Sequence, residues 1–172
     1  MSVNEVLDRI NPFQVKHALI TGGEPLLQRP TPTLVRALVD SGYDVSIETH
    51  GECSIAPVVA QARIVMDIKT PGSKMNRMGF EKNLSLLKPQ DEIKFVITST
   101  DDYTFAKQWV QSGKLTTQEV LFSPAQRGPD QPGQFDGVEP RWLAERILED
   151  RLPVRFQLQL HKQLWGAEKR GV

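Results

Sequence analysis

The chain has 172 residues, of which 39% are hydrophobic and 24% charged, the proportions of an ordinary globular protein. Its 21 acidic and 21 basic residues cancel, so the charge gives no reason to expect binding to nucleic acid or to an acidic membrane surface. No apolar run is long enough to cross a bilayer, and the first residues lack the basic and apolar stretches of a signal peptide. The lone cysteine, Cys53, can form no internal disulfide. These features predict one cytoplasmic domain over residues 1–172.

Amphipathic segments recur along the chain between short β-prone runs. Ser2 and Glu5 form a capping box for a first helix that ends near Ile10. A second helix starts around Pro32 and ends before Gly42, because proline favours the first helical turn and glycine the position just past the end. Three further helices are predicted, namely Pro57–Gln61, Asp102–Gln111 with Asp101 as its cap, and one that starts at Pro140.

The β-prone runs predict six strands: His17–Ile20, Val45–Ile47, Ile64–Met66, Lys94–Ile97, Val120–Phe122 and Val154–Leu160. Strands separated by helices indicate parallel βαβ units and therefore an α/β fold. In such folds, ligands gather beyond the carboxyl ends of the strands. Polar clusters follow five of the six predicted strands: Thr21–Pro25, Glu48–Gly51, Asp67–Lys69, Ser123–Gln126 and His161–Lys162. We therefore predict a ligand site along this edge of the sheet.

The run Gly22-Gly23-Glu24-Pro25 is the most informative of these clusters. Two glycines let the backbone approach a ligand with no Cβ in the way. Glu24 adds a carboxylate that can hold a small cation such as an amino group. The structural alternative is a strand-to-helix turn without a ligand, since glycine and proline are common turn residues.

Other candidate groups are weaker. Asp67 and Lys69 lie on the same side of an extended segment, where the lysine can bind a ligand carboxylate or phosphate. The alternative is a surface ion pair, which contributes little to stability. His161 is a better functional candidate than His50, because Lys162 adds a second donor, although either histidine can be structural or solvent-facing. Cys53 has no partner at metal-site spacing and is interpreted as a bystander.

Several segments carry a resemblance to a known family. Ile20–Gln28 resembles the Gly-Gly-Glu segment of radical S-adenosylmethionine (SAM) enzymes. The segments that narrow the resemblance to 7-carboxy-7-deazaguanine synthases are, in order, Glu48–Gly51, Asp67–Ser73, Asp91–Val96 and Gln157–Lys162. Trp165-Gly166 and Arg170-Gly171-Val172 resemble the carboxyl terminus of that family, so the resemblance covers essentially the whole chain.

The resemblance implies a radical SAM carbon–nitrogen lyase of the queuosine and 7-deazapurine pathway, which leads to tRNA modification. The family converts 6-carboxy-5,6,7,8-tetrahydropterin to 7-carboxy-7-deazaguanine by ring contraction with loss of ammonia. It uses SAM, a [4Fe–4S] cluster and Mg²⁺, is usually a homodimer and takes electrons from a donor such as flavodoxin. Its fold is a reduced, partly open TIM-like parallel barrel.

The resemblance also assigns ligand contacts to particular residues. Those implied to bind SAM are Gly23, Glu24, Asp67, Ile68, Lys69, Ser123, Pro124, Ala125 and Gln126. Those implied to bind the pterin substrate are Thr21, His161 and Val172. Lys69 is expected to contact the carboxylate of SAM and Glu24 to lie near its amino group. No residue of the chain is assigned as a catalytic group or as a metal ligand.

The sequence departs from the family pattern in one respect. The family's first strand, its cysteine triplet and the threonine that binds Mg²⁺ all precede the helix that begins here near Ser2. Three thiolates hold a cluster, and Cys53 alone cannot replace them. We therefore predict an N-terminally truncated barrel that lacks the first strand and the cluster loop, has an exposed sheet edge, and neither binds the cluster nor turns over.

Three interpretations follow. In the first, the sequence is the C-terminal portion of a 7-carboxy-7-deazaguanine synthase whose natural chain extends upstream. In the second, it is a short protein that binds SAM or a pterin without catalysis, or a subunit that pairs with a full-length copy. The third is another radical SAM enzyme that shares only Gly22–Pro25; the segment Gln159-Leu160-His161-Lys162 argues against it.

Overall fold

The structure is a computed structural model that describes residues 1–75, 79–117, 119–125 and 137–166, apart from the side chains of His161 and Gln163. Its centre is a six-stranded sheet in which the strands lie side by side in chain order. The strands are β1 (His17–Ile20), β2 (Asp44–Thr49), β3 (Arg63–Ile68), β4 (Glu92–Ile97), β5 (Glu119–Pro124) and β6 (Arg155–Phe156). Every neighbouring pair is parallel. All carboxyl ends therefore meet at one edge, and the predicted α/β fold is confirmed.

The helices are α1 (Val3–Ile10), α2 (Thr31–Asp40), α3 (Glu81–Leu84), α4 (Thr100–Gln111), α5 (Pro140–Glu149) and α6 (Leu160–Trp165). The predicted capping box of α1 is confirmed, since the Glu5 amide donates to Ser2 Oγ at 3.3 Å and the Ser2 amide to Glu5 Oε2 at 2.6 Å. Short 3₁₀ turns lie at Asn11–Phe13, Pro25–Leu27 and Pro71–Ser73. No helix in the described ranges has the length and apolar character needed to span a bilayer.

One face of the sheet carries the hydrophobic core. Buried side chains alternate with more exposed ones along β2, β3 and β4, as expected for strands with two different faces. Among the core residues, Ile47, Ile64, Phe95 and Phe122 are fully buried. Phe95 and Phe122 meet edge to face with ring centroids 5.7 Å apart. Burial of each such side chain contributes roughly 1.5–3 kcal/mol, so this face holds the sheet together.

The opposite face carries the charged side chains. Asp67 of β3 is the register partner of Lys94 of β4, and Ile68 is the partner of Phe95. Because side chains alternate along a strand, Asp67 and Lys94 point away from the core that Ile68 and Phe95 help to form. Glu48 of β2 shares this polar face by the same alternation.

Three sequence predictions are wrong in detail. Of the strand predicted at Val154–Leu160, only the two residues of β6 form a strand, and Leu160 begins α6. The sequence predicts the longer strand because Val154, Phe156, Leu158 and Leu160 place apolar side chains at every second position. Pro57–Gln61 is a series of turns and not a helix. The cap of α4 is Ser99 and not Asp101, because Ser99 Oγ accepts the amide of Asp102 at 3.2 Å.

The sheet is open at β1. Within the described ranges, β1 has a single partner, β2. A groove of about 530 Å³ runs beside β1 and is lined mainly by apolar side chains of β1, α1 and α2. Phe13 and Leu19, which border it, are 75% and 58% exposed. The strand order thus gives an incomplete barrel, as predicted from the resemblance.

Candidate ligand-binding site

The turn after β1 stands at the carboxyl edge of the sheet. Gly22 has a φ of +123°, which strains any residue with a Cβ. An ideal Cβ built on either Gly22 or Gly23 would meet no heavy atom within 4 Å, so both glycines face open space. Glycines suit these positions, because the chain turns sharply out of the strand and its backbone stays accessible.

Glu24 points in the opposite direction, into the protein. Its side chain is 2% exposed. The carboxylate accepts hydrogen bonds from the amide of Leu26 at 3.0 Å and from the hydroxyl of Thr49 at 2.9 Å. It also accepts the amide of His50 at 2.9 Å and lies 3.1 Å from His50 Nε2. Glu24 therefore ties the turn after β1 to the end of β2.

The ring of His50 is fixed by contacts on both nitrogens. Nδ1 accepts the amide of Glu52 at 3.2 Å, so this nitrogen carries no proton in the neutral ring. The proton then resides on Nε2, which faces Glu24 Oε2. His50, which the sequence left as a lone histidine, thus has a defined tautomer and a partner at the centre of the strand-end edge.

A second polar cluster crosses the open face of the sheet. Lys94 reaches over β3 and places Nζ 2.9 Å from Glu48 Oε1. Thr21 donates its hydroxyl to Glu48 Oε2 at 3.3 Å. Burial raises the pKa of Glu48, but the hydrogen bond and charge of Lys94, with smaller help from Thr21 and Lys69, outweigh it and lower that pKa below its usual value. Glu48 is thus held as a carboxylate beside an ammonium group on the ligand-facing side.

The third feature is a cavity of about 490 Å³ at the ends of β3 and β4. Asp67, Lys69, Thr70, Ala125, Gln159 and Lys162 are among its lining residues. Lys69 Nζ lies 2.6 Å from Asp67 Oδ2, so the predicted acid–base pair forms. Three polar atoms in this region are buried without a hydrogen-bond partner among the described residues: Asp67 Oδ1, Ser123 Oγ and Gln159 Oε1. Buried polar atoms normally have hydrogen-bond partners, so these atoms can pair with polar groups of a ligand or with water.

One wall of this cavity is fixed by a buried carboxylate. Asp102, fully buried in the first turn of α4, accepts the amide of Gly72 at 2.7 Å and the amide of Thr98 at 2.9 Å. It also accepts the hydroxyl of Thr98. A Cβ on Gly72 would lie 2.6 Å from Asp102 Oδ2, which explains a glycine at that position. The turn Pro71–Ser73 is therefore clamped against the start of α4.

The predicted ligand residues fall on three strand ends. Thr21, Gly23 and Glu24 follow β1; Asp67 and Ile68 end β3, with Lys69 next; Ser123 and Pro124 end β5, with Ala125 next. The side chain of Ile68 is fully buried, so only its backbone is available to a ligand. His161 lies in α6. Gln126 and Val172 lie outside the described residues.

Sequence reasoning missed four residues of this edge as site components: Glu48 and Lys94 on the open face, Thr49 beneath the turn, and Asp102 behind the cavity. Glu48 and Thr49 were predicted only as members of the strand-end cluster Glu48–Gly51 and were assigned no role. A signal existed for Lys94, because it stands between Ile93 and Phe95 in an alternating strand and so must face the opposite side.

A [4Fe–4S] cluster does not fit the residues present. The described residues contain no group of three or more His, Cys, Asp or Glu side chains that could hold a metal. The sequence has one cysteine in total. Burial, followed by the nearby charge of Glu24, raises the pKa of the Cys53 thiol and so disfavours the thiolate that iron requires.

The chain is similar in sequence to proteins named 7-carboxy-7-deazaguanine synthase. The one from Koribacter versatilis is 44% identical over 160 residues, which are 89% of this chain and 70% of the relative. The one from Chlorobaculum tepidum is 38% identical over 176 residues, which are the whole of this chain and 76% of the relative. No protein-family model matches the sequence.

Solved structures agree in fold. QueE from Escherichia coli superposes with a TM-score of 0.62 at 18% identity, over 91% of this chain and 64% of that one. Streptococcus suis SuiB bound to S-adenosylmethionine gives a TM-score of 0.62 at 13% identity, over 95% of this chain and 44% of that one. At these identities the likeness supports the fold and not a shared ligand.

Proposed function

Since the chain belongs to the 7-carboxy-7-deazaguanine synthase family, we propose that it binds SAM and 6-carboxy-5,6,7,8-tetrahydropterin along the carboxyl edge of its sheet. The reaction served by this binding is the ring contraction of the pterin to 7-carboxy-7-deazaguanine with loss of ammonia, in queuosine and 7-deazapurine biosynthesis. SAM supplies the 5′-deoxyadenosyl radical in that chemistry. By itself the chain does not turn over, because the three thiolates that hold the cluster are not among its residues.

The observation that carries the proposal is the cavity beside β3 with its unpartnered buried atoms. SAM bears ribose hydroxyls, an α-amino group and an adenine amino group that can donate to oxygens such as Asp67 Oδ1 and Gln159 Oε1. Lys69 and Lys162 line the same cavity and offer ammonium groups to a carboxylate. In this proposal, Gly23 and the segment Ser123–Gln126 complete the SAM site from either side.

The pterin is proposed to lie over the open face of the sheet, next to SAM. Glu48 is an ionised carboxylate on that face, suited to accept N–H groups of a heterocycle. Thr21 orients Glu48 from one side and Lys94 from the other. His161 and Val172 are proposed to reach the substrate from the carboxyl-terminal segment, as the resemblance implies.

Further parts of the proposal rest on the family resemblance. They are a [4Fe–4S] cluster and Mg²⁺ held by groups other than those of this chain, a homodimer, an electron donor such as flavodoxin, and a cytoplasmic location. We also propose that residues 1–172 form a single domain.

The experiment is an anaerobic comparison of binding and turnover. The 172-residue chain is incubated with iron, sulfide and a reductant, and then given SAM and the pterin. We expect SAM to bind and no 7-carboxy-7-deazaguanine to form, with no cluster absorbance on the protein. Formation of product would contradict the proposed inactivity, and absence of SAM binding would contradict the proposed site.

The second candidate is a catalytically inactive SAM- or pterin-binding protein, or a subunit that pairs with a full-length copy. It is favoured by one observation, namely that the strand-end cavity is intact in a chain with a single cysteine. The intact mass of the natural polypeptide separates the candidates. A mass several kilodaltons above 19.4 kDa favours the synthase, and a mass equal to it favours the binding protein or subunit.

A further inference from the structure

The carboxylate of Glu24 has no acceptor site left for a ligand. Three donors of the protein itself hydrogen-bond to it, namely the amide of Leu26, the hydroxyl of Thr49, which reaches both oxygens, and the amide of His50, and Nε2 of the same histidine lies 3.1 Å from Oε2. A carboxylate offers about four lone-pair sites, so these donors fill it. The side chain is also shielded from solvent. A ligand ammonium group would have to displace one of these buried hydrogen bonds.

The two glycines before Glu24 are in the opposite situation. Their ideal Cβ positions are in open space, whereas the residues on both sides of them are anchored. Thr21 donates its hydroxyl to Glu48, and Thr31 of α2 donates its hydroxyl to the carbonyl of Pro25 at 2.6 Å. The turn is therefore pinned at both ends and free only where backbone faces the ligand side.

We infer that Glu24, Thr49 and His50 form a latch that fixes the Gly22–Gly23 turn, and that Glu24 acts on SAM through this turn without touching it. Thr49 and His50 are then positioning residues of the site. A turn held in its bound conformation loses less entropy when the ligand binds, which is how a latch raises affinity. The inference rests on the proposed binding of SAM and differs from the direct contact that the resemblance implies for Glu24.

The test compares two ligands on the full chain by isothermal titration calorimetry. One ligand is SAM, and the other is the SAM analogue that lacks only the α-amino group. We expect Glu24→Gln and Thr49→Val to weaken both ligands by the same factor, about fivefold to tenfold for one or two lost hydrogen bonds. Thr49→Ser keeps the hydroxyl and should stay within twofold of the wild type. The control is Glu145→Gln, which alters an exposed ion pair within α5.

A direct contact predicts a different pattern. In that case, Glu24→Gln weakens SAM, leaves the deaminated analogue unchanged, and Thr49→Val affects neither. That result would overturn the latch.

A second measurement judges the latch without any ligand. In the wild type, the His50 amide should exchange slowly, because it donates to the buried carboxylate of Glu24. That protection should be lost in Glu24→Ala, which removes the acceptor, and persist in the control Glu145→Ala. If it persists in Glu24→Ala, the latch is wrong. If the wild type binds no SAM, the proposed function fails, and hydrogen exchange still decides whether the latch exists.

Discussion

The turn after β1 and the cavity beside β3 lie on the same edge of the sheet and differ in how their polar atoms are satisfied. At the turn, Glu24 and His50 use every polar atom of their side chains on neighbours within the protein. In and near the cavity, Asp67 Oδ1, Ser123 Oγ and Gln159 Oε1 are buried without described partners. Within the part of the chain that the structure describes, the first region has every buried polar side-chain atom paired, and the second has three that are not.

This difference separates residues that fix the shape of the site from residues that are available to bind a ligand. Buried hydrogen bonds that close on themselves fix a backbone conformation, because breaking any of them leaves a buried group unpaired. Buried atoms without partners cost free energy in the unliganded protein and recover it when a ligand supplies them. We therefore expect substitutions at the pinned elements to lower stability, and at the turn to lower affinity as well, whereas substitutions at the unpartnered atoms should lower affinity with little change in stability.

The largest effect on stability is expected for Asp102→Ala, which removes the clamp behind the cavity. The amides of Gly72 and Thr98 and the Thr98 hydroxyl would lose their acceptor. The free energy of unfolding should fall by about 3 kcal/mol, measured by urea denaturation. Asp101→Ala, one position earlier and exposed, is the matched control and should cost at most about 1 kcal/mol. Equal losses in the two variants would show that the clamp is not a stabilising element.

A smaller loss is expected for Thr49→Val. The substitution keeps the shape of the side chain and removes the hydroxyl that joins Glu24 to the amide of Gly51. Unfolding should become easier by about 1–2 kcal/mol in the same denaturation assay. Thr104→Val serves as the control, because the Thr104 hydroxyl bonds to its own helix at an exposed position. A Thr49→Val variant as stable as Thr104→Val would contradict the pinned turn.

Asp67→Asn should have a small effect on stability and a large effect on SAM affinity. Its Oδ1 has no described partner, and its ion pair with Lys69 is partly exposed, so stability should change by less than about 0.5 kcal/mol. SAM affinity should nevertheless fall about tenfold, because a charged acceptor is lost from the proposed site. Calorimetry with SAM measures the second effect, with Asp101→Asn as control. A large stability loss with unchanged affinity would assign Asp67 to the structure and not to the ligand.

The smallest effect concerns the pair of Glu48 and Lys94. Lys94 is the main group that lowers the pKa of Glu48 against the effect of burial, so Lys94→Met should raise that pKa. A lowered pKa in the folded state stabilises the protein above the ordinary glutamate value of about 4.3, and that contribution disappears as the pH falls through the lowered value. The stability deficit of Lys94→Met should therefore shrink on acidification. NMR titration of the Glu48 carboxyl group measures the pKa directly. Lys82→Met, at an exposed position, should leave it unchanged.

The sequence predicts the first five strands well. β1 is predicted at its exact bounds, and β2 to β5 within two residues at each end, because short β-prone apolar runs bounded by polar and turn residues are typical of buried strands. The end of the chain is different, since Val154–Leu160 alternates as a strand does, yet only Arg155–Phe156 pairs with β5 and Leu160 begins α6. The strand-end clusters are predicted for the same reason as the strands, because parallel topology brings the carboxyl ends together.

The contacts of Glu24 could not be predicted in this way. Its partner Thr49 lies 25 residues away along the chain, and nothing in either segment reveals which side the carboxylate faces. A Gly-Gly-Glu run looks the same whether the acid faces a ligand or the protein interior. Only the number of donors around the carboxylate distinguishes the two situations.

The most direct test of SAM binding at the strand ends is an NMR titration of the 172-residue chain with SAM. We predict that the largest amide shifts occur at Gly22, Gly23, Asp67, Lys69 and Ala125, and that the amino ends of the strands are unaffected. Shifts spread evenly over the surface, or none at millimolar SAM, would contradict a SAM site at the carboxyl edge of this sheet.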